Sequence, residues 1–112
     1  MTTLLFISLA FINFAYAADP ECHAGLVGLG DTYPLTKVQK DSVTTFSGGD
    51  NDVHFFVLAN LDALTLETDS LKSQQKTAQQ GPALLPGQTI IQVLQVSVDG
   101  RMTAYFLRCK AP

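Results

Sequence analysis

Two cysteines, two histidines and a handful of clustered acids are the residues in this chain of 112 with chemistry to offer. Cys22 and Cys109 stand 87 positions apart. Neither lies in a Cys-x-x-Cys arrangement, which is what lowers a thiol pKa for redox work. His23 beside Cys22 supplies adjacent ligands with no second pair at finger-like spacing, so no metal site follows. His54 sits inside the apolar run Val53 to Ala59 with no nucleophile motif around it, and is expected to be a neutral, hydrogen-bonded structural residue. Asp50-Asn51-Asp52 offers oxygens to calcium but lacks the spaced carboxylates and closing Glu of an EF-hand loop, so turn chemistry is the expected use. Asp62, Glu67 and Asp69 are near in sequence, yet acids around a strand end read as solvated charge and not as an acid/base pair. Gly-x-Ser-x-Gly, His-Glu-x-x-His and the phosphate-binding P-loop are absent from the sequence, and Gly25, Gly28 and Gly30 do not follow the dinucleotide fingerprint. The expectation is a protein that is not an enzyme and carries no cofactor or metal.

The length fits one small domain. A formal net charge of −3, from seven basic and ten acidic residues, leaves no dense basic field for a row of phosphates, which argues against nucleic acid as a partner. Residues 1–17 read as a secretory signal peptide: the apolar stretch Leu4 to Phe14, then Ala15-Tyr16-Ala17 as a small-x-small cleavage site. A retained anchor fits less well, because roughly 20 apolar residues are needed to span a bilayer. The n-region has no Lys or Arg, a departure from the usual pattern. The expected product is one domain, residues 18–112, periplasmic or secreted. In an oxidising compartment two thiols allow only one intramolecular bridge, Cys22 to Cys109. Closing so long a loop is worth on the order of 4 kcal/mol in the chain-entropy model.

The elements that must carry these residues read as strands. The Gly-rich segment 23–34 predicts a flexible or bulged first strand. Val38 and Val43 to Phe46 follow, stopped by the turn formers Ser47 to Asp52. Val53 to Ala59 is apolar on both parities and is expected to be a central strand buried on both sides. Ala63 to Thr68 alternates, with Leu64 and Leu66 inward and Thr65 and Glu67 outward. Ser70 to Gln80 has almost nothing to bury and breaks at Gly81-Pro82, which predicts an exposed edge strand or ordered loop. Pro86-Gly87 turns the chain into a long strand, Thr89 to Val98, whose apolar parity changes near Val93-Leu94 and so predicts a β-bulge. Asp99-Gly100 is a hairpin signal, and Arg101 to Cys109 returns antiparallel. No helical stripe occurs. Six or seven short strands predict an all-β fold, a small antiparallel immunoglobulin-like β-sandwich whose termini the disulfide links. The lack of Trp sets it apart from true antibody domains.

From Val53 to Arg101 the order of parts is an apolar strand, the Ser/Lys/Gln-rich run Ser70 to Gly81, the entry Leu84-Leu85-Pro86-Gly87-Gln88-Thr89, and the strand Val93-Leu94-Gln95-Val96-Ser97. This order resembles the periplasmic curli-assembly proteins that restrain amyloid formation by curli subunits. The resemblance is one of pattern and covers about half of residues 18–112. It implies a small immunoglobulin-like periplasmic protein, without cofactor, that holds an amyloid-forming client soluble during export. One branch of that family has a Cys-x-Cys pair to which redox activity is attributed. This chain has Cys22-His23-Ala24 instead, so that activity does not carry over. Amyloid grows at open strand edges, and a polar, Lys-bearing edge can engage an extended client while templating little further growth. Lys72, Gln74 and Lys76 are the expected client-binding residues, with Lys37 and Lys40 as possible neighbours, in a protein expected to be monomeric. Two other readings fit the same residues. One is a secreted host-directed effector or extracellular enzyme inhibitor built on a two-cysteine sandwich. The other is a small sugar- or calcium-binding lectin using Asp50 to Asp52 and Tyr33.

Overall fold

The computed structural model describes residues 19–112, and the expected signal peptide, 1–17, lies outside the described residues. Among the described residues nine strands follow one another: β1 (Glu21–Leu26), β2 (Gly30–Tyr33), β3 (Leu35–Lys40), β4 (Val43–Gly49), β5 (Val53–Ala59), β6 (Ala63–Ser70), β7 (Gln75–Pro82), β8 (Thr89–Val98) and β9 (Arg101–Lys110). They form two antiparallel sheets, ordered β2-β1-β9-β8 and β3-β4-β5-β6-β7. The expected all-β, two-sheet architecture is therefore present. The strand count rises to nine because the glycine-rich segment folds into two strands, and Asp41, in the left-handed region at φ 57°, separates β3 from β4. Every hydrogen-bonded neighbour is adjacent in sequence except β1 and β9, where the two ends of the described chain meet. A single residue, Pro34, lies between β2 and β3, so the chain passes from one sheet to the other there.

The core is what alternation predicts for two sheets facing each other across apolar side chains. Phe46, Val53, Phe55, Val57, Leu64 and Leu66 come from the larger sheet, and Ala24, Leu94, Val96, Tyr105 and Leu107 from the smaller. Phe55 stacks at a tilt on Tyr33, with ring centroids 5.3 Å apart, and meets Tyr105 edge-on at 6.3 Å. The edge-on arrangement is one that the ring quadrupoles favour. Leu64 and Leu66 point inward as expected, joined on the same parity by Thr68 and Ser70.

β4 runs on through Ser47 to Gly49, past the expected stop at Ser47, and two strands depart from expectation in burial or register. β5 is the middle strand of the larger sheet, but only Val53, Phe55, Val57 and Ala59 are buried; Phe56 and Leu58 are half-exposed on the outer face, and His54 is exposed there. One layer covers each sheet, so one face of even a central strand looks out. β8 shows no bulge: its ten residues pair with β9 without a register shift, from Thr89 opposite Lys110 to Val98 opposite Arg101. Gln92, Leu94 and Val96 are buried, whereas Ile91 and Val93 are 57% and 47% exposed. The apparent change of parity came from two apolar residues placed on the outer face. A bulge does occur in β1, where the register to β2 shifts between Ala24 and Gly25. Gly25 is required there, because a Cβ would overlap the Gly30 carbonyl oxygen and crowd the Phe106 ring.

Cys22 and Cys109 form a disulfide across the directly opposed β1 and β9, tying the two ends of the described chain within one sheet. Such a bridge belongs to an oxidising compartment, such as the periplasm or the extracellular space.

Candidate functional site

The expected edge strand is β7, at the border of the five-stranded sheet. Ser70 closes β6, and Leu71 to Gln74 turn the chain. Ser73 donates its hydroxyl to Ser70 Oγ at 2.8 Å, and the Leu71 amide donates to the Asp52 carbonyl at 2.9 Å. Gln74 completes the turn in the left-handed region, at φ 57°. Lys72 projects from this turn, Gln74 from its last position and Lys76 from the second residue of β7, and all three are exposed. The structure thus brings these three residues together at one corner of the sheet. Lys76 reaches diagonally across to Glu67 Oε1 at 2.8 Å, and this hydrogen bond, with the carboxylate charge, raises its pKa above the ordinary lysine value. Glu67 and Asp69 are thereby placed on the outer face of β6, Asp69 directly between His54 and Lys76 in the register. Lys37 and Lys40 do not join them. They lie on β3, at the opposite border of the same sheet, where Lys37 pairs with Asp19 Oδ2 at 3.0 Å.

The Asp50 to Asp52 cluster closes the turn from β4 to β5. Asp50 Oδ1 accepts the amides of Asp52 at 2.8 Å and Val53 at 3.1 Å. These backbone donors, helped by the Tyr33 hydroxyl, hold the Asp50 carboxyl below the ordinary aspartate value. Burial and the same hydrogen bond push Tyr33 up to about 12. Asn60 does the same work at the next turn, its Oδ1 accepting the amides of Asp62 at 2.9 Å and Ala63 at 2.7 Å. In both places the side chain mimics a backbone turn.

Three features escaped the sequence. Buried Gln92 accepts the Thr68 hydroxyl at 2.9 Å and donates Nε2 to the Leu66 carbonyl at 3.2 Å, joining the two sheets through a polar contact. Its even parity with Leu94 and Val96 was the available signal. On the outer face of the smaller sheet, His23 lies between Glu21 (3.1 Å) and Asp31 (3.3 Å), and Arg108 reaches Asp31 at 3.3 Å. These residues come from β1, β2 and β9, so spacing alone did not group them. At one end of the sandwich a cavity of about 470 Å³ is lined by the turns at Asp41 and Asn60, the connection Ala83 to Pro86, and both ends of the described chain.

The site and fold define a class: a disulfide-closed, two-sheet antiparallel domain with exposed sheet edges. No family model, curated protein or solved structure matches the chain.

Proposed function

We propose that this chain is an exported, non-enzymatic binding protein that engages extended, amyloid-forming polypeptides and keeps them from assembling prematurely, as the resemblance to curli-assembly proteins implies. One observation carries the reading: the border strand β7 is a polar, Gln-rich edge with Lys76 anchored on it and Pro82 at its end. Such an edge can hydrogen-bond an extended client through its free backbone groups. Its charge and proline make it a poor template for the next strand.

The test is fibrillation of a curli-type subunit with substoichiometric amounts of the oxidised protein. The expected result is a lengthened lag. Lys72→Glu combined with Lys76→Gln should shorten it again, glutamine being chosen because a glutamate at 76 would face Glu67. Lys40→Glu, at the opposite border, should leave it unchanged. Unchanged inhibition by the double variant would remove the β7 corner from the mechanism, and no inhibition by the wild type would end the reading. A second reading, a secreted effector or enzyme inhibitor, is favoured by the loop-lined cavity at the end of the sandwich, since loops held on a rigid scaffold commonly carry recognition. Gene neighbourhood separates the two: adjacent curli genes support the first, and a eukaryotic source eliminates it.

A further inference from the structure

Four strands border the two sheets: β2 and β8 in the smaller, β3 and β7 in the larger. An open edge is a ready template for another chain, and proteins blunt such edges with charge, proline or brevity. Three of the four are blunted. β2 has four residues, with Asp31 tied to His23 and Arg108. β3 carries Lys37 and Lys40, and β7 carries Lys76 and ends at Gly81-Pro82. β8 has none of these devices. Its ten residues, Thr-Ile-Ile-Gln-Val-Leu-Gln-Val-Ser-Val, include no charge, proline or glycine, and the strand runs without a register shift. That composition is the one that favours strand-to-strand zippering.

The hairpin at Asp99-Gly100 determines which backbone groups of β8 are free. Both turn residues have positive φ, 53° and 76°, and Val98 faces Arg101 across them. In a two-residue turn of this kind the flanking pair is the hydrogen-bonded one. Hydrogen-bonded and non-bonded pairs then alternate along the ladder, so Val98, Val96, Leu94, Gln92 and Ile90 spend their backbone groups on β9. Thr89, Ile91, Val93, Gln95 and Ser97 point theirs at the open edge, and all five are exposed. β7 approaches β8 from the other sheet without pairing with it.

We propose that two copies of this chain pair β8 against antiparallel β8 about a two-fold axis at Val93. In this register Val93 faces Val93, Ile91 faces Gln95 and Thr89 faces Ser97, so every free group on the edge finds a partner on the other copy. The uncharged strand sets no like charges against each other at the axis. The same operation on β3 would bring the lysines of both copies onto one short ribbon. The result is a continuous sheet of order β2-β1-β9-β8-β8-β9-β1-β2, with an outer strip of Ile91, Val93, Phe106 and Met102 doubled across the axis. The interface is isologous and closes on itself. Only blunted edges remain exposed in the dimer, so assembly stops at two and β7 stays available to a client.

Sedimentation velocity across micromolar concentrations of the oxidised protein tests this, with hydrogen exchange as a second readout. The wild type should sediment as two chains, with slow amides at Ile91, Val93 and Gln95. Val93→Lys places two ammonium groups on the axis at an exposed position and should give single chains with fast exchange at those amides. Val38→Lys, on the exposed face of β3, should remain dimeric. Gln95→Lys serves as the second disrupting variant should Val93→Lys fail to fold. A dimer that survives the disrupting variant overturns the proposal, as do open-ended oligomers. A wild type that stays monomeric also overturns it, and protection of β8 that then appears when an amyloid-forming polypeptide is added assigns the edge to the client.

Discussion

Asp50 and Tyr33 show how much of this chain's ionisable chemistry is spent on shape. Asp50 is held below its ordinary value by the turn amides it accepts, so its contribution to stability is fully present above the unfolded-state pKa of about 3.9 and is lost as pH falls through the lower folded value. Tyr33 is shifted the other way. Its contribution is present below about 10 and is lost as pH rises through about 12. Thermal melts as a function of pH should therefore show two shoulders, one below pH 4 and one between pH 10 and 12. Asp50→Asn keeps a carbonyl for the turn amides and should flatten the acid shoulder. At the buried pair, Gln92→Leu should cost about 1–3 kcal/mol by urea unfolding, because the Thr68 hydroxyl and Leu66 carbonyl each lose a partner in a dry interior. Adding Thr68→Val should recover the share of that loss due to the stranded hydroxyl, since removing both members of a buried polar pair is close to neutral, and leave the share due to the Leu66 carbonyl.

Strand pattern was legible at the level of elements where each face had one environment. β6 alternates cleanly in sequence and in the fold, and Asp99-Gly100 makes the hairpin its residue types demand. β5 and β8 were misread for a shared reason. Phe56, Leu58, Ile91 and Val93 are apolar yet face outward, and periodicity assigns apolar residues to the core without knowing how many layers cover a sheet. A bulge was one of the two expectations the glycines of the first strand raised, but the contact that makes Gly25 necessary is with Gly30 and Phe106. Gly25→Ala should therefore lower the unfolding free energy measured in urea by more than ~2 kcal/mol, whereas Gly81→Ala, with open space where its Cβ would sit, should change it little.

Across the described residues the disulfide and the β1–β9 ladder perform one task, holding the two ends of the described chain side by side in the smaller sheet. Because every other pairing joins strands adjacent in sequence, the β1–β9 contact alone closes the long loop, and it carries the largest closure entropy. Replacing Cys22 and Cys109 with serine together should lower stability by about 4 kcal/mol, the chain-entropy value for a loop of this size. Thermal unfolding with and without reductant measures the same quantity on the wild type, and equal melting temperatures would show that the ladder suffices without the bond.

Strand content, the turns at Asp50 to Asp52, Pro86-Gly87 and Asp99-Gly100, the pairing of the only two cysteines and the polar character of the segment that became β7 followed from the sequence, because each depends on backbone preference or, for the cysteines, on there being only two. Which strands lie at a border, which face of β5 and β8 meets water, and which lysines share a corner depended on the order in which strands pair. That order is set by packing between residues far apart in the chain. Lys37 and Lys40 have the same chemistry as Lys72 and Lys76, yet three intervening strands put the two pairs at opposite borders of one sheet.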